Sequence, residues 1–114
     1  MVRKAIIAEV EGLGKGVGQA VVHHIVKKDE LYGHGRMYAK VVLKPGSTVG
    51  WHQHIDETEP YYILSGQGIF VDNDGSRNPV GPGDVCTILP GQYHSLENAS
   101  QTEDLEFMAL IHKA

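Results

Sequence analysis

Cysteine is almost missing from this chain: Cys86 is the only one in 114 residues. A lone thiol excludes an internal disulfide and favours a reducing compartment, so a cytoplasmic location is expected. No apolar run approaches the ~18 residues of a membrane span. The opening segment from Met1 to Glu9 is too short in apolar residues for a signal peptide. An excess of basic charge is also lacking. The net charge is −4 with both signs interspersed, which leaves no footprint for nucleic acid. No internal repeat or low-complexity block divides the chain, so one domain over residues 1–114 is expected. The glycine run from Gly12 to Gly18 lacks the Gly-Lys-Ser/Thr ending of a phosphate-cradling loop and reads as a flexible connection.

Glycine, by contrast, is abundant. Fourteen glycines and five prolines punctuate many short segments, a pattern that favours all-β structure over helices. Gln19–Val26 and Arg36–Lys44 alternate as strands, and Leu105–His112 does the same near the end. In the second of these, Met37, Ala39, Val41 and Leu43 share one face, which puts Arg36 on the other. Asp72 to Gly75 predicts a hairpin turn. Cys86 reads as a small buried hydrophobe, since no activating base accompanies it. Tyr61, Tyr62, Phe70 and Phe107 read as core, and Trp51 as core or a dimer contact.

The chemistry concentrates between Gly46 and Gly66. His52 and His54 are one residue apart and project from one face of a strand. Glu59 follows five residues after His54, an odd separation that requires a turn through residues 55–58. Glu57 shares parity with Glu59 and Tyr61 if the next strand begins early, so both glutamates are candidates to face one cavity. Two imidazoles and a carboxylate suit a divalent transition metal, and His94 is the candidate fourth ligand. His23 and His24 point to opposite faces and are set aside, as are His34 and His112 taken singly.

These residues resemble the two cupin motifs. Gly46, His52, His54, Glu59 and Gly66 fill every fixed position of the first, G-x5-H-x-H-x4-E-x6-G. Gly83, Gly91, His94 and Asn98 fill the second, whose proline slot holds Leu89, with Pro90 one place later. The resemblance implies an all-β double-stranded β-helix, a cupin or jelly-roll barrel. It also implies one divalent metal held by His52, His54, Glu59 and His94, and a homodimer.

Three imidazoles and a carboxylate leave an octahedral ion open positions for substrate, water or dioxygen. The carboxylate favours Mn or Fe, with Ni, Co, Zn and Cu as competitors. Glu57 is the candidate for an acid/base group or for a partner behind a ligand. Tyr61 is a candidate pocket residue, and so is Arg36 should it face inward toward an anionic substrate. The Tyr61–Gly66 tract and the Glu57/Glu59 pair look like the small cupins predicted to be oxalate-decarboxylase-like. The expected function is therefore a metalloenzyme acting on a small carboxylate or sugar-like molecule bound directly to the metal. The alternatives are an iron dioxygenase, a non-enzymatic module binding a metal or small ligand, and a sugar isomerase or epimerase. Fold alone does not choose among them.

Overall fold

The computed structural model describes all 114 residues, in eleven strands and two 3-10 turns. In chain order the strands are β1 (Ile6–Glu11), β2 (Gln19–Lys27), β3 (Gly35–Leu43), β4 (Thr48–Gln53), β5 (Glu57–Thr58) and β6 (Tyr61–Ser65). They continue with β7 (Gly68–Val71), β8 (Arg77–Val80), β9 (Val85–Cys86), β10 (Tyr93–Asn98) and β11 (Leu105–Lys113). No helix is long and apolar enough to cross a membrane.

The strands form two sheets. The larger runs β1-β2-β3-β11-β6-β9, with β5 paired to the end of β11; the smaller runs β4-β10-β7-β8. Every pairing is antiparallel. Alternation places one face of each strand inward. From the large sheet Val22, Val41, Ile63, Leu105 and Phe107 are buried, and Val49, Phe70 and Leu96 meet them from the small sheet.

The closed double-stranded β-helix barrel expected from the sequence does not form. No ladder joins the two sheets, and neither curls far enough to close on itself. The residues at the free edges account for this. Strand β9 is two residues long, so pairing stops before Ile88-Leu89-Pro90. Strand β8 carries Pro79, which has no N–H to give a further neighbour. The fold is an all-β pair of facing sheets held by side-chain packing.

Other expectations fare variously. The β7–β8 hairpin turns at Asp72–Gly75, with Gly75 at φ 82° accepting the left-handed conformation. Cys86 is buried, and burial, helped by Asp84 and Asp72, pushes its thiol up to about 11. Tyr62 and Trp51 are not core: both are exposed, and Trp51 stacks on Tyr93 with ring centroids 5.6 Å apart.

The segment 12–18 is more than a flexible connection. It contains the 3-10 turn Leu13–Lys15 and lies backbone against backbone on β4, tied by Thr48 N–H to Val17 O and Val17 N–H to Thr48 Oγ1. A Cβ at Gly16 would lie 2.1 Å from Thr48 O, and one at Gly50 would lie 2.4 Å from Gly14 O. Only glycine allows that approach, and it brings Leu13 over the strand that carries His52.

Candidate metal centre

The site lies between the two sheets. His52 sits on β4 and His94 on β10, directly opposite one another in the ladder. His54 follows the end of β4 and keeps its backbone in register, its N–H donating to Gln92 O and its O accepting from Gly91 N–H. The chain then reverses through Asp56, whose φ of 57° is left-handed. That turn, required by the odd spacing, delivers Glu59 to the start of β6 in the other sheet. Three imidazoles from one sheet thus face a carboxylate from its partner.

His52 Nε2 lies 2.9 Å from His54 Nε2 and 3.1 Å from His94 Nε2. Glu59 Oε1 lies 3.0 Å from His54 Nε2, 3.2 Å from His94 Nε2 and 3.4 Å from His52 Nε2. The four ligand atoms all fall within 4.8 Å of one another, and His54, Glu59 and His94 are buried.

Hydrogen bonds behind the rings decide what those atoms present. His52 Nδ1 is 2.6 Å from Gly50 O, a group that can only accept, so its proton is on Nδ1. His54 Nδ1 meets Glu57 Oε2, which again places the proton on Nδ1. Each neutral ring therefore turns a lone pair inward at Nε2. Two lone pairs and a carboxylate oxygen converge, with nothing among them able to donate to all three. His94 adds a third ring whose Nδ1 has no partner. Such a convergence favours positive charge at its centre. The pKa directions report the same attraction. Burial alone would lower His54, but Glu59 and Glu57 outweigh it and leave it raised. Burial alone would raise Glu59, yet the three imidazoles hold its carboxyl well below the usual range. Burial lowers His94 against the opposing pull of Glu59, which favours the neutral ring. The cluster is able to chelate a divalent metal.

Glu57 does not face the cluster. Its carboxylate stands behind His54 and is gripped from outside by Arg36, with Nε to Oε1 and Nη2 to Oε2 both at 2.9 Å. Arg36 accordingly gives two of its three nitrogens to Glu57, although it also lines the pocket. The Arg36 bond is the largest influence holding Glu57 below its ordinary value, burial opposing it and His54 assisting. Tyr61 is buried, stacks on His94 with centroids 5.0 Å apart, and donates its hydroxyl to Glu59 Oε1 at 3.0 Å. Burial and the Glu59 charge push that phenol well above its usual range, so it stays a donor.

His52, His54 and Glu59 of the cluster line one side of a cavity of about 220 Å³. Leu13 of the glycine segment, Val22, Met37, Val41, Phe107 and Ile111 form much of the rest. Sequence reasoning missed Leu13 and its cover. The pairing of Gly14 and Gly16 with Gly50, two residues before His52, was the available signal.

A cupin-domain family profile matches residues 39–111, nearly two thirds of the chain and all four cluster residues. This chain belongs to the cupin family. A protein of Thermotoga maritima named as an oxalate-binding protein is 42% identical over 102 residues, covering 90% of this chain and 83% of its own. The crystal structure of a predicted oxalate decarboxylase from T. maritima superimposes with a TM-score of 0.91 at 38% identity, over 100% of this chain and 99% of that one. A cupin-like protein from T. maritima shares the fold alone, at 19% identity with a TM-score of 0.76 over 99% of this chain and 80% of that one.

Proposed function

We propose that this cupin binds one divalent metal through His52, His54, Glu59 and His94 and takes a small carboxylate at that metal. The convergence of inward lone pairs on one point carries this reading, because a cation placed there would be met by all of them at once. The mixed nitrogen and oxygen set favours Mn or Fe over Ni, Co, Zn and Cu. A bound divalent ion supplies Lewis acidity, drawing an acid's oxygens and stabilising negative charge. The names of the T. maritima relatives, one oxalate-binding and one a predicted oxalate decarboxylase, support a carboxylate as the ligand.

The surrounding residues position and enclose. Glu57, backed by Arg36, fixes the tautomer and orientation of His54. Tyr61 orients the Glu59 carboxylate through its hydroxyl. Neither is free as an acid or base: Glu57 is held by Arg36 and His54, and the Tyr61 proton is engaged with a ligand oxygen. Leu13 and the apolar walls give the cavity a largely hydrocarbon lining. This arrangement favours binding, or chemistry driven by the metal, over proton transfer by a side chain. A sugar, which needs many polar partners, finds few on these walls. A homodimer belongs to the same reading, since exposed Tyr62, Leu64 and Val85 on the large sheet provide apolar surface for pairing to cover. A one-chain mass by light scattering would remove that element.

The test is calorimetric titration of small carboxylates into metal-free and metal-loaded protein. Binding that appears only with metal, and vanishes in His94→Ala, is expected. Equal binding with and without metal would refute the reading.

A further inference from the structure

The cavity beside the cluster is poorly suited to a doubly charged acid. Its volume of about 220 Å³ is below the ~300–1,000 Å³ of drug-sized pockets. It still equals roughly seven liquid-water volumes at ~30 Å³ each, more than a minimal acid fills. Nine of its fourteen lining residues are apolar, and Arg36 is its one cationic side chain. That guanidinium already gives Nε and Nη2 to Glu57, and Val22, Val41, Phe107 and Ile111 offer no polar side chain on the walls. Charge directed toward the walls would therefore be buried without a partner, which is costly, whereas hydrocarbon placed there is favoured.

We propose that the pocket selects a monocarboxylate with an apolar body, its acid group toward the His/Glu cluster and its hydrocarbon against Met37, Val41, Phe107 and Ile111, in preference to a dicarboxylate such as oxalate. This assignment rests on the reading of the cluster as a metal site for carboxylates and narrows its substrate class. Specificity then resides in three strands of the large sheet: Val22 on β2, Met37 and Val41 on β3, and Phe107 and Ile111 on β11. Leu13 closes the space from the glycine segment.

The experiment is calorimetric titration of Mn²⁺-loaded protein, its metal content measured beforehand, with oxalate, pyruvate, 2-oxobutyrate, 2-oxopentanoate and 2-oxohexanoate. Affinity is expected to rise roughly fourfold for each added methylene until the cavity is full, with oxalate weaker than the longest acid. Oxalate binding most tightly, or affinities flat or falling with chain length, would overturn the assignment and leave the metal–carboxylate reading standing. No binding by any of the five acids at full metal loading would remove that reading, and the assignment with it. Met37→Gln keeps side-chain length while making the wall polar. It should keep the parent's metal content and reduce the advantage of 2-oxohexanoate over pyruvate at least threefold. An unchanged series in that variant would place the hydrocarbon elsewhere and count against the proposal.

Discussion

Replacing Glu57 with glutamine removes one charge and almost no volume, so it isolates the group behind His54. Glu57 Oε1 accepts Arg36 Nε–H, while Oε2 accepts both Arg36 Nη2–H and His54 Nδ1–H. A glutamine offers one oxygen and one NH₂ in their place. With its oxygen toward His54, the NH₂ opposes Arg36 Nε–H, donor against donor. Flipped, the NH₂ opposes His54 Nδ1 and favours the tautomer that protonates Nε2, which cannot then ligate. Either way the support of one ligand is lost. Removing such partners costs metal affinity about 10- to 100-fold, or about 1.4–2.8 kcal/mol. Competition for Mn²⁺ against a chelator of known affinity measures that loss, and nitrogen-edited NMR of the His54 ring reads the tautomer. Arg36→Ala should cost less, because the His54–Glu57 bond survives and the half-exposed ion pair contributes at most about 1 kcal/mol. An affinity for Glu57→Gln within twofold of the parent, with His54 Nδ1 still protonated, would refute the reasoning.

Other perturbations follow from the same geometry. Gly16→Ala drives a Cβ into Thr48 O and should lift the 12–18 segment from β4, costing about 1–3 kcal/mol in urea denaturation; an unchanged midpoint would mean the contact is not tight. Asn98, buried, donates Nδ2 to Leu43 O, Lys44 O and Glu103 O, and its Oδ1 accepts from Ser100 N–H. Asn98→Ala leaves those groups without a partner and should cost about 3 kcal/mol by the same assay. For pH, the Glu57 carboxyl is depressed in the folded chain, principally by Arg36. Its contribution is therefore present above the unfolded carboxylate range, about 4.3, and is lost as pH falls through the lower folded value. Metal-free parent should lose stability over that window more steeply than Glu57→Gln; parallel curves would count against the linkage.

The convergence of His52, His54, Glu59 and His94 into one cluster was legible because their spacing couples local geometry to chemistry. His52 and His54 share a strand face, and an odd interval to Glu59 demands the turn that Asp56 makes with positive φ. Burial of Cys86 and Tyr61 followed from composition and parity. Closure of the sheets was not legible. Alternation within β8 or β9 says which face is apolar, and is silent on whether distant edges find hydrogen-bond partners. Glu57 and Arg36 lie 21 residues apart, so their joint grip on His54 could be seen only once β3 and the β5 turn were placed. The 12–18 segment misled for a related reason. Glycine signals conformational freedom, and the close backbone approach that uses it depends on Gly50 across the contact. Trp51 illustrates the limit of residue type: its parity opposes His52, and with His52 inward it faces solvent and stacks on Tyr93.

Elemental analysis of protein purified without added metal, beside a Glu59→Ala/His94→Ala double variant, addresses the central claim most directly. One equivalent of a divalent metal in the parent, with Mn or Fe foremost, and none in the variant is the predicted result. A parent that stays metal-free after anaerobic incubation with Mn²⁺ and Fe²⁺ would contradict the account.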